Sequence, residues 1–355
     1  MAEAGSIAAI SIPFVSGAAL AALLPRDWPY LYPAGAACSV LAAFFVCVII
    51  RKDTHWGLSC VLFFTLGAIC RIGADICGGG PDTHPFEAAL QALCDTIDSI
   101  PWRGNESPAL IKALLTGRRE SLSGETLDAF RQSGASHILA LSGLHLGILY
   151  GILAGMLKAL GRSRAAERLR CLLVVSAAGF YTAMTGASPS LVRAFLFILF
   201  NETAGMLPGR ERKPVRVLMA AATVQVALSP LSMDSISFQL SYLAMLGIVF
   251  LFPCLDRIYP PVTHPSPMRR IWSSIALTLS CQITTAPLVW LKFGTFPKYF
   301  LLTNLLALPL TELLMVSAVA TVALSAAGIC PGVCVQITEK LAATLELCLK
   351  IISSM

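Results

Sequence analysis

Apolar residues run through this chain in long blocks, broken by short polar loops. Spanning the hydrocarbon core of a bilayer takes roughly 20 apolar residues. Blocks of about that length occur at Gly5–Leu24, Trp28–Ile50, Trp56–Ile72, Ser136–Leu157, Cys171–Thr185, Ser190–Leu207, Val217–Leu228, Ile236–Leu255, Ile271–Leu291 and Tyr299–Leu324. The pattern predicts an all-α, polytopic transmembrane helix bundle of about ten spans. Cys171–Thr185 and Val217–Leu228 are short, so they need flanking residues or a place inside the bundle.

One long hydrophilic stretch, residues 73–135, interrupts the blocks. Phe86, Leu90, Leu93 and Ile97 fall on one helical face there. Ser107-Pro108 is a helix start, with Pro at the first helical position, and Leu110, Ile111, Leu114 and Leu115 form a second apolar face. These are short helices, either lying on the membrane surface or packed on the bundle. Cys77 and Cys94 sit in or beside this stretch and form one optional disulfide pair. Residues 329–355 carry Glu339, Lys340, Glu346 and Lys350, which suits an amphipathic interfacial helix better than a span. The chain thus reads as residues 1–72 of N-terminal spans, 73–135 external, 136–328 the main membrane domain, and 329–355 a C-terminal amphipathic helix.

Composition agrees. Hydrophobic residues make up 56% and charged residues 13%, with a mean hydropathy of +0.74. A soluble chain carries roughly twice that charge. The net charge of +6 is read through topology, since basic residues collect in cytoplasmic loops. With the N-terminus inside, cytoplasmic loops hold Arg51 and Lys52; Lys158, Arg162, Arg164, Arg168 and Arg170; Arg210, Arg212, Lys213 and Arg216; and Arg257, Arg269 and Arg270. The short outer loops hold Arg26, Lys292 and Lys298. The first helix is read as retained, because MAEAGS lacks the basic residues of a signal peptide.

Chemistry-bearing positions concentrate in GASHILALSGLHLGILYGILAG, residues 134–155. Gly143, Gly147, Gly151 and Gly155 recur every four residues, a helix-packing stripe. Read as one continuous helix, the segment turns His137, Ser142 and His145 toward another side. That polar face must meet protein or water, so it either bonds neighbouring helices or lines a pore. Further polar stripes are Ser274, Thr278, Gln282 and Thr285, followed by Pro287, and Ser235, Gln239 and Tyr242. Arg193 either snorkels to the outer interface or faces the interior. Glu312, mid-span and near the face of Asn304, is either a functional carboxylate or a protonated or paired one. Motifs of phosphate-binding loops, zinc proteases and nucleophile elbows are missing, as are C-x-x-C pairs and a histidine cluster. No metal, no cofactor and no enzymatic activity are expected. Ser142 and His145, three residues apart on one helix, are not expected to reach nucleophile–base geometry.

Five strings, in order, resemble blocks of the ComEC/Rec2 competence proteins. They are ALLTGRRESLSGETLDAFRQSGASH, HILALSGLHLGIL, GASPSLVRAFLF, SPLSMDSISFQLSYLAMLGIVF and QITTAPLVWLKFGTFPKYFLLTNLLALPL. The resemblance covers roughly residues 110 to 325, most of the family's channel domain. It implies a channel that passes single-stranded DNA inward across the bacterial cytoplasmic membrane. His137, Ser142, His145, Arg193, Gln239, Ser241, Gln282 and Asn304 match family blocks and become channel or packing positions. The implied partners are membrane lipids, single-stranded DNA, a separate metallo-β-lactamase-like nuclease, a DNA receptor and a cytoplasmic DNA-translocating ATPase. The chain departs from the family pattern in three ways. Residues 73–135 are short and helical for an OB-fold-like domain, H-x-H-x-D-H is missing, and Ser237 stands where Gly is usual. The competing functions are a small-molecule or lipid transporter on the same fold and a non-conducting assembly subunit.

Overall fold

The computed structural model describes residues 2–23, 54–77, 86–161, 163–206, 214–259, 267–294, 299–329 and 332–354. Every regular element among them is helical. Four helical stretches, Gly143–Leu160, Ile236–Asp256, Pro267–Phe293 and Phe300–Ala326, are long and apolar enough to cross a membrane. The expected span Trp28–Ile50 lies outside the described residues. Large aliphatic side chains stay exposed along the helices, among them Leu172, Ile283 and Leu313, each more than half exposed. Outward-facing aliphatic residues on long apolar helices suit a hydrocarbon environment.

The chain divides into two compact units, Met1–Thr83 with Leu196–Ser241, and His84–Phe195 with Tyr242–Met355. The first unit is built on α1 (Ala2–Ala22) and α2 (Thr54–Cys77). Gly17 lies against the Phe64 backbone and Gly67 against the Phe14 backbone, so the two helices run antiparallel. An added Cβ would stand 1.9 Å from the Phe64 carbonyl oxygen at Gly17 and 2.0 Å from that of Phe14 at Gly67. Only glycine lets two backbones come that close. Near the end of α2, Arg71 is 1% exposed. Its guanidinium donates to both Asp75 carboxylate oxygens at 3.0 and 3.2 Å, to Asp234 at 2.6 Å and to the Pro230 carbonyl at 3.2 Å. The last two lie on the 3₁₀ turn Pro230–Asp234, just past α10 (Pro214–Leu228).

The second unit opens with α3 (Glu87–Asp98), α4 (Glu106–Thr116), α5 (Gly124–Gln132) and the single turn α6 (Ser136–Leu139). Then come α7 (Gly143–Met156), α8 (Arg164–Met184) and α9 (Pro189–Met206), the last continuing into the first unit. α11 (Ile236–Leu246) runs through a π-helical turn, Gly247–Leu251, into α12 (Phe252–Asp256). The chain ends with α13 (Pro267–Phe293), α14 (Phe300–Ala326) and α15 (Gly332–Ser353). Pro287 lies inside α13, which continues to Phe293.

The hydrophilic stretch does not spread its apolar faces on a membrane surface. Leu110, Ile111 and Leu114 of α4 and Phe130 of α5 are at most 1% exposed. They share two hydrophobic clusters with Leu314 and Met315 of α14 and with Val335, Leu345 and Leu349 of α15. Each fully buried side chain contributes about 1.5–3 kcal/mol. The packed reading is therefore the correct one of the two. Within residues 329–355, α15 leaves one face exposed at Val333, Ile337, Leu347 and Ile351 and packs the other. Val335, Thr338, Ala342, Leu345, Leu349 and Ile352 alternate three and four apart and are all buried, the spacing of a two-helix seam. Thr338 sits within that seam, with its hydroxyl 2.5 Å from Ser317 and 3.0 Å from Thr321. At the rim, the Lys350 ammonium is 2.9 Å from Glu125 and holds that carboxyl below its usual range. Cys94 is a free, buried thiol on the core face of α3; the side chain of Cys77, its optional disulfide partner, lies outside the described residues.

Candidate functional site

The expected single helix Ser136–Leu157 is broken. Ala140 is extended (φ −77°, ψ 128°), and so is Ser142 (φ −123°, ψ 170°). Ser142 is the N-cap of α7, not a residue on its face. Its hydroxyl accepts from the Leu144 N–H at 3.3 Å. His145, at the third helical position, completes a capping box: its Nδ1 accepts from the Ser142 backbone N–H at 3.3 Å. A helix start leaves its first N–H groups unpaired, and this reciprocal arrangement satisfies two of them. The polar face read on a continuous helix is thus replaced by a cap at a chain break.

The same break puts the Ser142 hydroxyl 3.0 Å from His145 Nδ1, a distance not expected for two residues of one helix. It arises because Ser142 lies outside the helix. An accepting Nδ1 leaves the ring proton on Nε2. His145 is 1% exposed, and its Nε2 has no hydrogen-bond partner among the described residues. His137 stands on α6, exposed but near enough to His145 for their charges to interact, with Nδ1 donating to the Gly134 carbonyl at 3.1 Å.

Arg193, half-buried in the second turn of α9, reaches the start of α7. A Cβ built on Gly143 would lie 3.0 Å from Arg193 Nη2 and 3.3 Å from Ala194 Cβ. The guanidinium therefore rests against the positive end of a helix, which favours anions rather than cations. Its Nε is buried with no partner among the described residues, and Tyr242 of α11 and Cys281 of α13 are near enough to feel its charge. Arg193 is thus an interior group within its unit. Gly143 is also where the glycine stripe meets protein. At Gly147, Gly151 and Gly155 none of the described residues lies within 4 Å of an added Cβ, so among the described residues the stripe packs only at its first member.

The remaining positions divide. Asn304 on α14 is half-buried, with Oδ1 unpartnered among the described residues. One residue earlier, Thr303 donates to the Ser133 carbonyl at 2.7 Å and ties α14 to the end of α5. Glu312 is exposed, while Asn304 is not, so the two do not share one environment. Gln282 is half-buried on α13. Its neighbours in the expected stripe bond within their own helix: Ser274 donates to the Arg270 carbonyl and Thr285 to that of Cys281. The packed face of α13 is instead Ala276 and Ser280, both 0% exposed. In the first unit, Gln239 donates to the Met233 carbonyl at 3.0 Å, Ser235 caps α11 by accepting from the Phe238 N–H, and Ser241 is buried.

Sequence reasoning missed two features. Gly247 lets the π-helical turn touch α13, where an added Cβ would stand 2.3 Å from the Ser280 carbonyl oxygen. Arg71 forms a buried ionic cluster, and its only local signal is Asp75 four residues on.

Comparison with known proteins places these features in a family. An uncharacterized protein of Escherichia coli K12, YcaI, is 27% identical over 237 residues, covering 64% of this chain and 30% of its own length. ComE operon protein 3 of Bacillus subtilis 168 is 28% identical over 204 residues, covering 58% of this chain and 25% of its own. The chain thus spans less than a third of either relative. No solved structure matches. The family model described as "Competence protein" matches residues 114–355, which include the capped start of α7, Arg193, the π-helical turn and the α14–α15 seam. This chain is a membrane protein that belongs to the Competence protein family.

Proposed function

We propose that the chain forms a competence-type channel for inward passage of single-stranded DNA across the cytoplasmic membrane. In this reading it has about ten spans and a cytoplasmic N-terminus, the orientation in which basic loops fall inside. The observation that carries the reading is the set of unpartnered buried polar atoms: His145 Nε2, Arg193 Nε and Asn304 Oδ1. All three fall within the family match. Leaving a buried polar group unpaired costs about 1–3 kcal/mol, and lipid cannot relieve it. Water or a passing polar strand can. An arginine beside a helix start has the chemistry to greet one phosphate at a time, and weak contacts at several places suit conduction better than tight binding. The similarity to ComE operon protein 3 adds a competence context.

The chain is read as a conductor and not a catalyst, with Ser142 and His145 acting as a helix cap. A separate nuclease, a DNA receptor and a cytoplasmic ATPase would then complete uptake.

The test is uptake of labelled DNA in a deletion strain complemented with Arg193→Gln or His145→Leu. Uptake should fall at least about tenfold, the effect of losing about 1.4 kcal/mol, while the amount of protein in the membrane holds. Parallel loss of protein and uptake would reduce these residues to packing. Normal uptake in the deletion strain, with no paralogue present, would end the proposal. Proton-dependent flux of small solutes that vanishes in Glu312→Gln would favour a transporter instead.

A further inference from the structure

A groove of about 290 Å³ runs between α7 and α8, lined chiefly by Leu146, Leu153 and Met156 on one side and Val174, Ala178 and Tyr181 on the other. Its walls are apolar. The Tyr181 hydroxyl is already engaged, donating to the Leu115 carbonyl at 2.8 Å. Arg170, Val174, Ala178 and Tyr181 follow one another at helical spacing, so Arg170 stands at the head of the groove, one turn before Val174. The Arg170 Nη2 donates to the Gly161 carbonyl at 3.3 Å. Its Nε is buried and has no acceptor among the described residues. Around the same turn Lys158, Arg164 and Arg168 are exposed, with Glu167 the acid among them.

From Arg170 to Tyr181 is about 16 Å along α8 at 1.5 Å per residue. One leaflet of hydrocarbon is about 15 Å, half of a core about 30 Å thick. The groove therefore has the length of one acyl chain, with a cationic cluster and an unfilled donor at its head. Clusters of this kind between membrane helices recognise anionic headgroups. We propose that this groove is a binding site for an anionic phospholipid, with one acyl chain between α7 and α8 and the phosphate on Arg170. The site is independent of DNA conduction.

The test uses the full chain purified in mild detergent and stripped of lipid. Phosphatidylglycerol and phosphatidylcholine with identical chains are added, and retained lipid is read by native mass spectrometry. Wild type should retain phosphatidylglycerol about fivefold better, the effect of one basic residue at a membrane surface, and free glycerol phosphate should not displace it. Arg170→Gln should abolish the preference. Ala177→Trp, at an exposed residue lining the groove, should lower retention of both lipids. Arg270→Gln, at an exposed arginine on α13, should change nothing. Equal retention of the two lipids by wild type would overturn the site, and that reading needs no variant. So would an equal effect of Arg270→Gln, or displacement by glycerol phosphate.

Discussion

Two sets of glycines show what a small-residue pattern does and does not mean. On α7 four glycines recur every four residues, yet past Gly143 the stripe meets none of the described residues. In the α1–α2 pair, Gly17 and Gly67 belong to no conspicuous stripe, yet each lets a carbonyl of the other helix come within what would be a covalent-scale clash. Spacing gives a helix a smooth side. Whether that side is used depends on the neighbour's backbone, which the helix's own sequence does not contain. The difference also separates two chemical roles. The α1–α2 contact is backbone on backbone. At Gly143 the nearest atom is the mobile end of Arg193.

Substitution can break this comparison, and the largest effect should come from Gly67→Leu. The side chain would have to displace the Phe14 carbonyl, so overpacking should cost about 3 kcal/mol or more. Thermal unfolding in detergent and the yield of inserted protein would report it. Near-normal values would mean that α1 and α2 are not in contact. Gly247→Ala should follow, at about 1–3 kcal/mol, because its Cβ meets the Ser280 carbonyl and the Thr284 hydroxyl. Gly143→Ala should cost less than about 1 kcal/mol, since Arg193 can swing away. Its signature should be a change in DNA uptake at unchanged unfolding temperature. Gly151→Ala should be neutral or stabilising by up to about 1 kcal/mol, because alanine is the better helix former. A clear loss of stability there would show that the stripe has a partner after all, and cross-linking from Gly151→Cys would then identify it.

Much of the architecture was legible because it depends on runs and local chemistry. The bounds of α1, α9, α13 and α14 lie within a few residues of the apolar blocks, and α4 starts one residue before Ser107-Pro108. The break at residues 140–142 was not legible, since ALSGLHL continues the apolar run without a Gly-Pro signal. Its one clue, Ser142 three before His145, has histidine where a capping box usually has Glu or Gln. Arg71 shows a different limit. Asp75 is visible four residues on, but the 2.6 Å contact is with Asp234, 163 positions away. The sequence leaves Arg193 either snorkelling or facing the interior, and only packing shows that it lies against the start of α7. The glycines of α7 are the reverse case, a clear pattern that packs, among the described residues, only at its first member.

The seam between α14 and α15 has a consequence for how the chain is made. Helix α4 is buried by residues that the ribosome reaches roughly 200 positions later, a delay of about 10–40 s at about 5–20 residues per second. Until Leu314, Leu345 and Leu349 emerge, Leu110, Leu114 and Phe130 can pack only on near neighbours in the chain such as Leu122, Ile138 and Leu139. The packing of α4 is therefore completed late in synthesis, when the C-terminal helices arrive to close the cluster.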